Sequence, residues 1–490
     1  MSYQDDLSVW EARWETLRGV TEDLLGQLEE PAAWGVPRAK TLLVVAQSLQ
    51  AFAEAQFAFF REGFGESGAF DLLPSDDFPR EYVFRTTLEQ IGHDVALLEQ
   101  IVRQRLSSRR VQVDGEEVRM TDRLNQADQL AQLALEPAVE AGLVDKTAVI
   151  TYFHKSPSIR VVPYAPVAFI AIPYSGLNSD RDLLAIPHEV GHHIYRHGHE
   201  LRYVLEQRIP KQPAWRRRWQ EEIFADVYGA MIAGPAVALS FQDLLLGKAV
   251  AEFVTDDGDH PVSFLRPFIY HVTLRQMTPY GHDFAEMAAG LAAMWQEALE
   301  IRGLPESFVP LEGETAVSVT EARDYLEYAI KQIMKQVPNG FTPWFVAQAN
   351  VVAEDSGHFA QELYANFSDT VAMLTDKYID VAAPKVPLYE LDVVDGMIGV
   401  AEGHTMGVSK VGQVNGGGPG VLAVMPALGN KRPLGFTNTW VDQIKEKAFS
   451  GEGIGIVGSD RIALPPDAWT AVLSTDGWNT GGPEGFWRGG

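Results

Sequence analysis

Residues 188–192 read His188-Glu189-Val190-Gly191-His192, two histidines four positions apart with a glutamate directly after the first. Residues at that spacing share one face of a helix, so both imidazoles can address a single Zn²⁺ ion. Glu189 lies about 100° round the same helix, beside the position such a metal leaves open. There a carboxylate can take the proton from a water that the metal has acidified. Two histidines at this spacing are by themselves often plain core or surface residues. The intervening acid and the apolar stripe Leu183, Leu184, Ile186, Val190 and Ile194 favour a metal site on a half-buried helix. Ser179 and Asp180 stand ahead of it as candidate N-caps, and Pro187 fits only a first turn, so the helix is expected to start late in the apolar pattern.

A second pair of chemical groups follows in QEEIFADVYG, residues 220–229, where Glu222 and Asp226 are also four apart. On a helix this spacing supplies a third metal ligand on one turn and, on the next, an acceptor for the remaining ring N–H of a ligating histidine. Glu221 is an alternative ligand, ranked below Glu222 because it has no carboxylate four residues on. Ile223, Phe224, Ala225, Val227 and Tyr228 surround the acids with apolar side chains. Acids in such a setting are expected to be buried, and buried charges need partners.

HEVGH followed by EExFADxxG resembles the zincin metallopeptidases of the gluzincin type. The flanks are most similar to the CAAX prenyl protease and HtpX-like family: HEVGHHIYRHG resembles its HExGHxxxRH, EEIFAD its ExxAD, and His260-Pro261-Val262-Ser263-Phe264-Leu265-Arg266 its HPxxxxR element. The resemblance spans residues 180–270 or so. It implies a zincin-like core in which His188, His192 and Glu222 hold one Zn²⁺, Glu189 is the general base, Asp226 supports a ligand, and His260 and Arg266 contact the oxyanion or substrate. An N–H donor and a fixed cation aimed at a developing oxyanion suit peptide hydrolysis. Tyr195, Tyr228, Tyr270 and Tyr280 fall near these segments, and any one of them could add a further donor. The chain departs from the membrane members of that family in having no spanning helices. It also lacks the GxMEN element by which aminopeptidase gluzincins hold a free amine. The implied activity is therefore internal cleavage of a protein or peptide substrate.

Composition narrows the partners. With 40 Lys and Arg against 66 Asp and Glu the formal charge is −26, which disfavours nucleic acid and anionic membrane. Cysteine is absent, so disulfides, thiolate ligands and a cysteine nucleophile are excluded, and a zinc ion has only His and carboxylate to bind. No run reaches the ~18 apolar residues of a membrane span, and the acidic, amphipathic start has neither the basic nor the apolar region of a signal peptide. A cytoplasmic protein without membrane insertion is expected, export by a signal-independent route remaining open.

The elements that must position these groups follow from periodicity. Residues 1–145 read as an N-terminal helical region, with apolar spacing over 7–28, 40–64, 81–106 and 121–141. The period then shortens: 147–153, 159–162 and 167–172 are β-branched and aromatic runs that read as strands. The third is either interior or lines the cleft and offers its edge to an extended peptide. Helical spacing returns over 237–253, 283–301, 318–336 and 357–376. The fold class expected is α+β, mainly α, with residues 146–380 as a zincin-like catalytic domain carrying a small sheet.

Residues 381–490 form a Gly-rich C-terminal region with short strands expected at 421–424 and 454–457. Its GxGxxG match at 453–458 runs into Pro465-Pro466 instead of a helix, so no dinucleotide site is expected. Glu402 and His404 in this region are candidate metal-blocking groups, which raises an alternative reading as a latent protease released by a regulatory partner. A non-catalytic binding or scaffold protein of the same fold is the other alternative. An intact Glu189 counts against it, because holding zinc needs the ligands and not the base.

Overall fold

The structure, a computed structural model, describes residues 4–36, 38–63, 80–107, 110–113, 115–144, 148–161, 167–198, 201–277, 284–303, 305–311, 315–337, 356–376, 391–394 and 397–400. Tyr280, Glu402, His404, the strands expected at 421–424 and 454–457 and the glycine motif at 453–458 lie outside the described residues. The described chain is mainly helical with small sheets, and it forms two compact units. One contains Met1–Arg109 and Arg160–Ala168; the other contains Arg110–Ile159 and Phe169–Asp380.

The first unit is built on α1 (Gln4–Ala33), α2 (Ala39–Gly63) and α3 (Arg80–Leu106), close to the ranges that apolar spacing predicts. Its core is aromatic: Trp14 stacks on Phe57 at 5.4 Å, and Phe57 meets Phe84 at 5.7 Å. Arg160, buried, donates through Nε to the equally buried Asp94 at 2.8 Å, so neither charge is left unpaired.

The second unit opens with a departure from the expected helical region. β1 (Arg110–Val113) and β2 (Glu116–Arg119) pair antiparallel, Val111 opposite Val118. Between them Gly115 adopts φ 85°, a conformation open to glycine. An Asp-Gly step between alternating valines is a hairpin signal, overlooked because long helical patterns flank it. After α4 (Met120–Glu140) come β3 (Ala148–His154), β4 (Ser158–Val161) and β5 (Val167–Pro173), in the spatial order β3-β5-β4. β5 is therefore the middle strand with both edges paired, and it cannot offer an edge to a peptide. Its uninterrupted burial from Val167 to Ile172 is the mark of an interior strand. β3 and β4 are the outer strands of this sheet. α4 is tied to β3 by Asp128, whose Oδ1 accepts from the Thr151 N–H at 2.7 Å and hydroxyl at 2.8 Å.

A 3₁₀ turn at Asp180–Ala185 leads into α5 (Ile186–His197), with Pro187 in the first turn as its missing N–H requires. Ser179 precedes the 3₁₀ turn without a side-chain capping bond, and Asp180 lies within it, so neither caps α5. The polar and aromatic connection beyond α5 contains α6 (Leu201–Arg208) and α7 (Trp215–Arg218). α8 (Gln220–Leu246) then runs through the centre of the unit. It bends at Gly234, whose φ of 63° and ψ of −144° are non-helical, and Pro235 begins its second half. The helix expected over 237–253 is thus the second half of α8, ending at Leu246, with a 3₁₀ turn at Val250–Phe253 beyond it. The stretch Trp215–Leu246 is long and apolar enough to cross a membrane by length and composition, and 94% of its most apolar window is buried inside the protein. α9 (Arg266–Gln276), α10 (Phe284–Arg302), the pair β6 (Ser307–Phe308) and β7 (Val317–Ser318), α11 (Val319–Met334) and α12 (Ser356–Asp376) complete the unit. A further antiparallel pair joins β8 (Leu391–Val394) and β9 (Met397–Val400).

The contact that matters most for the site is α5 against α8. A Cβ on Gly191 would come within 2.8 Å of the Ala225 Cα, and one on Gly229 within 3.4 Å of the His188 Cα. The helices approach so closely because each presents a glycine to the other. Gly191→Ala is expected to push them apart, destabilising the protein by about 1–3 kcal/mol as overpacking does. Thermal unfolding of the variant checks this; an unchanged Tm would show that the interface has slack.

Candidate metal centre

α5 presents His188 and His192 on one face, and α8 brings Glu222 to meet them. His188 Nε2 and His192 Nε2 are 3.2 Å apart; Glu222 Oε2 is 3.6 Å from the former, and Glu222 Oε1 is 3.4 Å from the latter. All three ligand atoms lie within 4.8 Å of one another, and the group can hold a metal ion. It is the one such group among the described residues. Both histidines and Glu222 are largely buried. They line a cleft of about 840 Å³ together with Glu189, Ser158 and Ile159 of β4, Leu244 and His260. Glu189 is 7% exposed, and its carboxylate has no hydrogen-bond or ion-pair partner among the described residues.

Each imidazole is backed by an acid. His192 Nδ1 bonds Glu221 Oε1 at 2.8 Å. His188 Nδ1 is 3.0 Å from Asp226 Oδ1, within ion-pair reach although outside the angle of a hydrogen bond. Asp226 has no exposure, and it accepts from Arg266 Nε at 2.8 Å, Arg266 Nη2 at 2.9 Å and the Tyr270 hydroxyl at 2.7 Å. Arg266 Nη2 also donates to Glu222 Oε2 at 2.9 Å and lies 3.3 Å from His188 Nε2, while its guanidinium stacks over the Phe241 ring at 4.8 Å. Arg266 is thus a buried brace between α9 and two acids of α8.

His260 stands on the loop before α9 with 41% of its side chain exposed, its Nε2 3.4 Å from Glu222 Oε1. Asp257 holds this ring from behind, Oδ2 to Nδ1 at 2.9 Å and Oδ1 to the His260 backbone N–H at 2.8 Å. The loop itself is pinned by buried Asp256, which accepts from Arg218 at 2.7 Å and from the Gly258 N–H at 3.1 Å.

The charges are mutually dependent. Burial lowers the His192 pKa, but Glu222 and then Glu221 and Glu189 outweigh it, and the imidazole is raised to about 9. Burial opposes ionisation of Glu222 and Asp226 too. His260, His192 and Arg266 hold Glu222 below the usual carboxylate range, and Arg266 with His188 hold Asp226 well below it. His260 is raised chiefly by Glu222, against burial, with Asp257 adding to the effect. Both acids therefore stay ionised in the interior, as metal ligation and its support require.

All seven sequence candidates, His188, Glu189, His192, Glu222, Asp226, His260 and Arg266, are brought into this one neighbourhood. The tyrosines behave otherwise. The Tyr228 hydroxyl is spent on a backbone carbonyl in α4, Tyr270 is committed to Asp226, and Tyr195 is buried against Phe224; none of the three lines the cleft. Asp257 is the contributor that sequence reasoning did not name, although it precedes His260 by three residues within a turn. Glu221 was expected only as an alternative ligand and Tyr270 only as a possible donor to the oxyanion, whereas they support His192 and Asp226. Compared with known proteins, the chain matches no family model, no curated protein and no solved structure.

Proposed function

We propose that this chain is a zinc-dependent metalloendopeptidase with a zincin-like core. The observation that carries the proposal is the convergence of His188, His192 and Glu222 beside a cleft-lining Glu189 whose carboxylate has no partner among the described residues. Two imidazoles and a carboxylate, with no thiolate in the chain, form a donor set suited to Zn²⁺. His188 Nε2, His192 Nε2 and Glu222 would hold the ion. When bound, it would supply Lewis-acid polarisation of a peptide carbonyl and acidify a water.

The chain's own residues do the rest. Glu189 takes the proton of the attacking water and delivers it to the departing amine. His260 donates through Nε2 to the oxygen on which negative charge develops, and Asp257 keeps the opposite ring nitrogen occupied. Arg266, committed to Asp226 and Glu222, keeps those acids charged and in place. β4, at the sheet edge with Ser158 and Ile159 on the cleft wall, suits a substrate in extended conformation, which favours internal cleavage of a flexible protein or peptide.

Removal of metal tests the reading. Purified protein is expected to contain one equivalent of zinc, to cleave casein or a peptide library, to lose that activity on dialysis against a chelator, and to regain it with Zn²⁺. Cleavage that survives complete metal removal would sink the proposal.

A further inference from the structure

Glu221 has no part in the chemistry above, yet its carboxylate is tightly held at the centre. Oε1 accepts from His192 Nδ1 at 2.8 Å and from Arg196 Nε at 2.6 Å, with Arg196 Nη2 in ion-pair contact at 2.6 Å. Both donors come from α5: Arg196 follows His192 by one turn, so one acid of α8 clasps two successive turns of the facing helix. Its neighbour Glu222 reaches the opposite edge of the same ring, Oε1 lying 3.4 Å from Nε2. Two consecutive acids thus address the two nitrogens of one imidazole.

Resting on the metal-site reading, we infer that Glu221, clamped by Arg196, is a positioning residue that fixes His192 with its proton on Nδ1 and its Nε2 lone pair turned toward the ion. A carboxylate on the far nitrogen orients the ring and makes the ligating nitrogen more basic. The clamp also separates the tasks of the two acids: Glu221 could reach the ligand side only by giving up Arg196.

Cobalt titration of the full-length protein tests this, with Co²⁺ as a visible probe of ligand number. Wild type is expected to bind one equivalent with the intense d–d absorption of a four- or five-coordinate ion. Glu221→Gln should bind the same single equivalent with the same band shape but about 10- to 100-fold more weakly, whereas Glu222→Gln should lose the band. In the zinc-loaded protein, ¹⁵N-histidine spectra should show His192 protonated at Nδ1 in wild type and a mixture of tautomers in Glu221→Gln. Unchanged affinity with an unchanged His192 pattern overturns the inference. So does a Glu221→Gln spectrum that matches Glu222→Gln, which would make Glu221 the ligand. Should Glu221→Gln fail to fold by circular dichroism, Arg196→Gln is read in the same way, with a smaller weakening expected and no weakening as the contrary result. A wild type that takes up neither Co²⁺ nor Zn²⁺ overturns the metal reading first and this inference with it, whereas normal wild-type binding confines any failure to the role of Glu221.

Discussion

Glu189→Gln is expected to keep the full complement of zinc and to lose peptide cleavage, with kcat lower by about 10²- to 10⁴-fold, the usual contribution of a positioned general base. The two halves of that result have separate causes. Glu189 is no member of the His188, His192 and Glu222 cluster and has no hydrogen-bond partner among the described residues, so the amide replaces it without disturbing ligands or packing. What it removes is the ability to accept and return a proton. Metal content, Tm and cleavage of one peptide, measured side by side, decide the matter. A variant that holds zinc and still cleaves at the wild-type rate would mean that another base acts, or that Glu189 lines the cleft without chemistry.

Asp226→Asn should have the largest effect on stability. The carboxylate has no exposure and receives two bonds from Arg266 and one from Tyr270, with His188 alongside. Removing its charge leaves a buried guanidinium with Glu222 as its remaining acid, and breaking a buried pair in this way costs about 3–5 kcal/mol. The same change removes the acid behind His188, so zinc affinity is expected to fall together with the urea midpoint. Tyr270→Phe removes only one hydrogen bond and serves as the control, at about 1 kcal/mol. If Asp226→Asn unfolded at the same urea concentration as wild type, the Arg266 brace would not be holding the second unit together.

Much of the site was legible because its signals are local. His188, Glu189 and His192 are fixed relative to one another by helical geometry alone, and so are Glu222 and Asp226. The fold was legible where periodicity is long, as in α1 to α4 and α10 to α12. It was obscured where a short element sits between long ones, as with the hairpin at residues 110–119 and helices α6 and α7. The position of β5 within the sheet was equally hidden, because strand order depends on partners that composition does not reveal. Glu221 was ranked as a weaker ligand on spacing alone. Its contact with the far side of His192 depends on how two helices cross, and that crossing rests on Gly191 and Gly229.

The linear chain settles which side chains share a helical face, because 3.6 residues per turn leave no freedom in that choice. Folding decides which faces meet. The glycine-lined approach of α5 to α8 sets His188 and His192 against Glu222, and α9 delivers Arg266 to acids 40 and 44 residues earlier in sequence. Such convergence arises from close packing and from the need of each buried charge for a partner. Neither condition can be read from spacing within a single segment.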